Sequence, residues 1–115
     1  MTKSLTDEAL ITETVLDYFE GWFSGDVERM DRALHPDLVK RGPTLAVTTK
    51  ERMLELTGRG EGRQDGAEQS TQSVVEDVAE DIASVTVRNT VYYEYVHLLR
   101  TPDGWKIINA LWRLQ

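Results

Sequence analysis

The sequence predicts an α+β fold in which helices come first and an antiparallel sheet follows. Three observations carry this. Apolar residues recur at spacings of three and four through the first half, a Gly-rich stretch without apolar residues interrupts the chain at 58–66, and Val, Thr and Tyr dominate after Ser70. A length of 115 residues, 40% of them apolar, suits one ordinary core spanning 1–115 and leaves no room for a second.

Thr6 is the predicted N-cap of the first helix, with Asp7 and Glu8 in the first turn, where the helix dipole favours negative charge. Ile11, Val15, Tyr18, Phe19, Trp22 and Phe23 form its apolar stripe. Ser24-Gly25 ends it, because Gly accepts the left-handed backbone common at a helix terminus. Asp26 then caps a second helix with the stripe Val27, Met30, Ala33 and Leu34, stopped by His35-Pro36-Asp37 because the residue before a proline avoids the helical region. Residues 38–41 read as a short strand, broken by Gly42-Pro43 and resumed over 44–47. Thr48 and Glu51 have capping-box spacing and predict a third short helix through Met53, Leu54 and Leu56.

The stretch 58–66 predicts a mobile, solvated loop. Its glycines do not lead into the Gly-Lys-Ser/Thr of a phosphate loop, and the second reading is a lid over a pocket. Three strands follow, at 71–78, 82–99 and 105–114. A tight Glu80-Asp81 turn joins the first two, and Thr101-Pro102-Asp103-Gly104 reads as a type I turn with a Gly bulge. Setting Thr101 opposite Trp105 pairs His97 with Asn109, Val96 with Ala110 and Glu94 with Trp112. One face then holds Trp105, Ile107, Asn109 and Leu111 with Tyr93, Tyr95, His97 and Leu99. The other holds Ile108, Ala110, Trp112 and Leu114 with Glu94, Val96 and Leu98. Both faces are largely apolar and the helices can cover one, so the other predicts a homodimer interface.

Charge and composition exclude several functions. Thirteen basic against twenty acidic residues, a net charge of −7, leave no basic excess for nucleic acid or an anionic membrane. Without Cys there is no disulfide, thiolate catalysis or Cys-ligated zinc. The start, MTKSLTDEALI, reaches acidic residues before any apolar run, which predicts no signal peptide or membrane span and a soluble, cytoplasmic protein. No zinc-ligand spacing, Ser-His-Asp set or dinucleotide fingerprint occurs, so neither metal nor cofactor is expected.

Three runs carry a family resemblance: Tyr18-Phe19-Glu20-Gly21-Trp22-Phe23-Ser24-Gly25-Asp26, then Leu34-His35-Pro36-Asp37, then Gly104-Trp105-Lys106-Ile107-Ile108-Asn109-Ala110-Leu111-Trp112. Over nearly its whole length the chain resembles the nuclear transport factor 2-like superfamily, in the branch named for lumazine binding and related to polyketide cyclases and ketosteroid isomerases. That resemblance implies a cone-shaped, curved antiparallel sheet wrapped around the N-terminal helices, with an internal cavity. It also implies a role for Tyr18, eight residues before Asp26, where the isomerases place a tyrosine that donates to the oxyanion. Their aspartate base, sixteen residues after the position of Asp26, falls here on Gly42, so the base is missing.

Lys40 lies two residues earlier on the same strand face, and Glu94 stands opposite Trp112. Each has a plainer reading: Lys40 as a surface lysine on an edge strand, Glu94 as a strand-end carboxylate, and Tyr18 as one more residue of the helix stripe. His35 and His97 are the only histidines; the first suits a helix C-terminus, and the second stands beside Asn109 on the interface face unless a bulge moves it. Tyr18, Trp22, Lys40, Glu94, His97 and Trp112 therefore form the candidate set, for a small aromatic or anionic ligand. Two other readings stand beside binding. One is a cofactor-independent isomerase, dehydratase or cyclase with Glu94 or His97 as base and Tyr18 or Lys40 stabilising an enolate; the other is a purely structural dimerisation module.

Overall fold

A computed structural model describes residues 6–64 and 71–115. Helix α1 (Asp7–Ser24) starts as the sequence predicts: the Thr6 hydroxyl accepts the Ala9 amide at 3.1 Å, and Gly25 closes the helix at φ 74°. Its stripe is buried, with Trp22 partly so. Helix α2 (Val27–Ala33) is capped by Asp26, which accepts the Arg29 amide at 3.2 Å. It ends one residue early, because Leu34 opens strand β1 (Leu34–Arg41).

His35-Pro36-Asp37 is accordingly part of a strand and not a break between elements, since proline excludes helix but suits an extended backbone. His35 stands one residue past the C-cap of α2, at the start of β1, and accepts the Asp37 amide on Nδ1 at 3.0 Å. Strand β2 (Val47–Thr48) is shorter than expected, and Thr49, not Thr48, caps helix α3 (Lys50–Gly58) by accepting the Arg52 amide at 3.2 Å. Gly58 belongs to that helix. The turn after it is held by backbone bonds from Gly60 to Thr57 and from Arg63 to Gly60, so 58–63 is built structure where a free loop was expected. Residues 65 and 66 of that stretch lie outside the described residues.

Strands β3 (Gln72–Ala79), β4 (Ile82–Arg88), β5 (Tyr92–Thr101) and β6 (Gly104–Leu114) complete a curved six-stranded sheet in the order β2-β1-β6-β5-β4-β3. It is mixed, because β1 runs parallel to β6 while every other pair is antiparallel. The predicted strand 82–99 is in fact two, folded back at Asn89. The Asn89 side-chain oxygen accepts the amides of Val91 and Tyr92 at 2.9 and 2.8 Å, which makes the turn.

The predicted register of the last hairpin is one residue off at its turn. Thr101 pairs with Gly104, not Trp105, and a bulge at Ile108 restores His97–Asn109, Val96–Ala110 and Glu94–Trp112 beyond it. One extra residue reverses which way the preceding side chains point. Trp105 and Ile107 therefore leave the outer face assigned to them and enter the core, at 4% and 0% exposure, where Ile107 joins Leu98, Val96, Val85 and Val87 against the helices. On the outer face a row crosses four strands, Leu111, Tyr95, Thr86 and Val74, in which Leu111, Tyr95 and Val74 are about half exposed, and Ile82 is half exposed on the same face. Among the described residues no helix is long and apolar enough to cross a membrane.

Candidate functional site

A cavity of about 150 Å³ lies between α1, α3 and the inner face of the sheet. Tyr18 and Trp22, one helical turn apart on α1, form one wall. Lys40 points in from β1, where its neighbour on β6 is the buried Ala110. Glu94 and Trp112 enter as a direct cross-strand pair, and Met53 and Leu56 of α3 close the apolar side. Five of the six candidate residues thus line one space. His97 does not: it lies on the outer face, hydrogen-bonded through Nδ1 to the Asn109 side-chain amide at 3.1 Å. The bulge that could have moved it falls at Ile108, on the partner strand, so His97 keeps its outward direction.

Three polar groups form a chain inside the cavity. The Lys40 ammonium donates to the Tyr18 hydroxyl, and that hydroxyl donates to Glu94 Oε2 at 2.7 Å. Lys40 Nζ also stands 5.8 Å from the ring centroids of both Trp22 and Trp112, within reach of their π faces. The edge-strand reading of Lys40 and the exposed-end reading of Glu94 are both displaced, since Lys40 faces the cavity and Glu94 is 2% exposed.

Burial governs how these groups hold protons. It raises the Glu94 carboxyl above its ordinary range, an effect that Lys40 and the Tyr18 hydrogen bond offset in part. It lowers the Lys40 ammonium, with Glu94 pulling the other way. The Tyr18 hydroxyl is pushed well above the phenol range, by burial first and then by the negative charge of Glu94. Each shift moves its group toward the neutral form, so the chain can carry a proton between amine and carboxyl with little net charge in the cavity.

Two glycines hold the aromatic walls in place. A Cβ on Gly42 would stand 2.5 Å from Trp112 Cζ2 and 2.6 Å from its Nε1, where no carbon can sit. Gly62, in the turn after α3, approaches the Trp22 indole inside 3.0 Å in the same sense. The position that carries the base in the isomerases is therefore closed to any side chain by Trp112. The Gly-rich stretch, at Gly62, serves to let backbone press against Trp22.

Tyr92 is a cavity residue the sequence reading missed, as are Phe19, Thr48, Met53 and Leu56. Its hydroxyl accepts the Trp22 Nε1–H at 3.0 Å, and its ring meets Trp112 edge-on at 5.8 Å. The signal was present, because Tyr92 is two residues before Glu94 on the same strand face. Among the described residues no group of three His, Asp or Glu could hold a metal ion.

Helices seated in a curved sheet with a cavity between them define a protein of the nuclear transport factor 2-like fold. A protein of this fold and of unknown function from Silicibacter pomeroyi superposes with TM-score 0.82 at 16% identity, covering 96% of this chain and 100% of its own. A second, from Rhodospirillum rubrum and described as of unknown function in nutrient uptake, gives 0.75 at 21% identity, covering 91% and 98%. A ketosteroid isomerase-like protein from Erwinia carotovora gives 0.70 at 18% identity, covering 92% and 94%. Residues 6–113 match the family described as "Putative lumazine-binding", and the chain belongs to that family. No curated protein matches it.

Proposed function

We propose that the chain, as one domain, is a small-molecule binding protein whose ligand is a single aromatic ring bearing an anionic or carbonyl oxygen. The observation that supports this is the convergence of Trp22, Trp112 and the Lys40–Tyr18–Glu94 chain on one cavity of about 150 Å³. An apolar cavity of that size in another protein holds benzene, so one ring fits and a steroid does not. The rings of Trp22 and Trp112 supply contact area, and Lys40 supplies a donor for the oxygen. Lumazine, in the family's name, has two fused rings and would need more than this volume.

The isomerase reading loses its usual base at Gly42 and would depend on Glu94, already bound to Tyr18. The test is a thermal-shift and tryptophan-fluorescence titration with benzoate, 4-hydroxybenzoate, lumazine and a steroid ketone. Stabilisation by the single-ring acids with none by the steroid is expected; no response to any of them overturns the reading. We further propose a cytoplasmic homodimer joined through the row Leu111, Tyr95 and Val74, whose exposed apolar surface supports an interface.

A further inference from the structure

Binding alone leaves the Lys40 amine without a purpose that an arginine or a neutral donor could not serve. We propose that Lys40 is a nucleophile that condenses with the carbonyl carbon of a small aldehyde or ketone in the cavity, forming a reversible imine. This rests on reading the cavity as a small-molecule site and adds a covalent step to it.

The contrast with the other described lysines comes first. Lys50 donates to the Leu34 carbonyl at 2.9 Å and pairs with Asp31 at 3.2 Å, and Lys106 donates to the Arg32 carbonyl at 2.7 Å. Those are exposed or boundary ammonium groups held by oxygens that favour the charge. Lys40 instead meets a hydroxyl and two indole rings, and among the described residues the carboxylate near it, Glu94, is reached through that hydroxyl. Burial further favours its free amine, the form with a lone pair to donate.

Tyr18 and Glu94 then supply the proton traffic that the step requires. The Nζ lone pair attacks the carbonyl carbon while the C=O π pair moves to oxygen. One N–H proton passes to that oxygen, which completes the carbinolamine. The Tyr18 hydroxyl gives its proton to the carbinolamine hydroxyl and takes the Glu94 carboxyl proton in its place, reversing its hydrogen bond to Glu94; the carbinolamine oxygen leaves as water while the nitrogen lone pair closes the C=N bond. The products are a protonated imine on Lys40, a Glu94 carboxylate and one water. Positive and negative charge appear together at the two ends of the existing hydrogen-bonded chain, and no outside acid or base is consumed.

The experiment incubates the 115-residue chain with benzaldehyde at neutral pH and cyanoborohydride, which reduces an imine to a stable amine, followed by intact mass and peptide mapping. One benzyl group per chain on Lys40, ahead of Lys50 and Lys106, is expected. Lys40→Arg should abolish it, with Lys40→Met as the second variant if the arginine does not fold. Tyr18→Phe and Glu94→Gln should slow trapping at Lys40 about a hundredfold, the lower end of what positioned acid and base groups contribute. Label on Lys50 and Lys106 with Lys40 untouched overturns the proposal, as does undiminished trapping in both Tyr18→Phe and Glu94→Gln. Benzaldehyde that raises the melting temperature without a reducible adduct overturns the imine and leaves binding standing.

Discussion

Replacing Gly42 by alanine probes how the cavity wall is held. The added Cβ would stand 2.5 Å from Trp112 Cζ2, against the 3.4 Å at which ordinary contact begins, so the indole must retreat by about 1 Å. Its retreat is opposed by the Tyr92 ring, edge-on at 5.8 Å, and by Lys40 on the cavity side. Overpacking of that kind costs about 1–3 kcal/mol. At about 4 °C per kcal/mol for a domain of this size, the melting temperature should fall by roughly 4–12 °C. The decisive comparison is the Trp112→Leu background, where no indole stands over Gly42. There Gly42→Ala should change stability by less than about 0.5 kcal/mol. Urea denaturation of the four proteins measures the coupling. Equal effects of Gly42→Ala in both backgrounds, or no effect in either, would refute the account of Gly42 as space kept for Trp112.

Three further outcomes follow from the cavity and the outer face. Lys40→Met and Glu94→Gln should each destabilise by about 1–3 kcal/mol, the cost of leaving a buried polar group without its partner, and the double variant should lose less than their sum; strict additivity in chemical denaturation would show that the two do not share one hydrogen-bonded unit. Because the Glu94 pKa is raised in the folded state, its contribution is present below pH 4.5 and is lost as pH rises through the folded value, whereas the lowered Lys40 pKa makes stability rise with pH from its folded value towards 10.5. Glu94→Gln should remove the first slope and Lys40→Met the second in urea midpoints taken across pH, and slopes unchanged by both variants would contradict the assigned directions. Sedimentation equilibrium at micromolar concentration should give a dimer mass for the native chain and a monomer for Leu111→Asp; a monomeric native chain would remove the outer row as an interface.

Helix positions were legible because caps act locally: Thr6, Gly25 and Asp26 each fix a terminus through bonds within a few residues. Facing was legible from the His97–Asn109 pair onward for a similar reason, since alternation carries it along a regular ladder. What failed was counting across irregularities. Nothing in Ile107-Ile108-Asn109 distinguishes the bulged residue from its neighbours by composition, yet the bulge decides that Ile107 is core and Leu111 is surface. The parallel pairing of β1 with β6 joins residues far apart in sequence, which no local pattern encodes. Asn89 is the one missed turn with a local cause, an asparagine whose side chain replaces the backbone bonds of a tight turn.

The site divides along the same line. Glu94 and Trp112 were found through strand pairing, Lys40 through its strand parity with the position that the resemblance assigns to the isomerase base, and Tyr92 was reachable by parity with Glu94. That the Lys40 ammonium meets Tyr18 rather than solvent depends on how closely α1 approaches the sheet, and that distance is set by side chains from both. Gly42 and Gly62 show the limit most clearly, because a missing side chain leaves no pattern of its own. Read from the sequence, Gly42 breaks a strand and Gly62 belongs to a mobile loop; opposite Trp112 and Trp22, they are the reason two indoles can pack against backbone. Cavity dimensions here are consequently controlled from behind the walls. A substitution at either glycine should narrow the pocket by pushing Trp112 or Trp22 inward, with every side chain that lines it left unchanged.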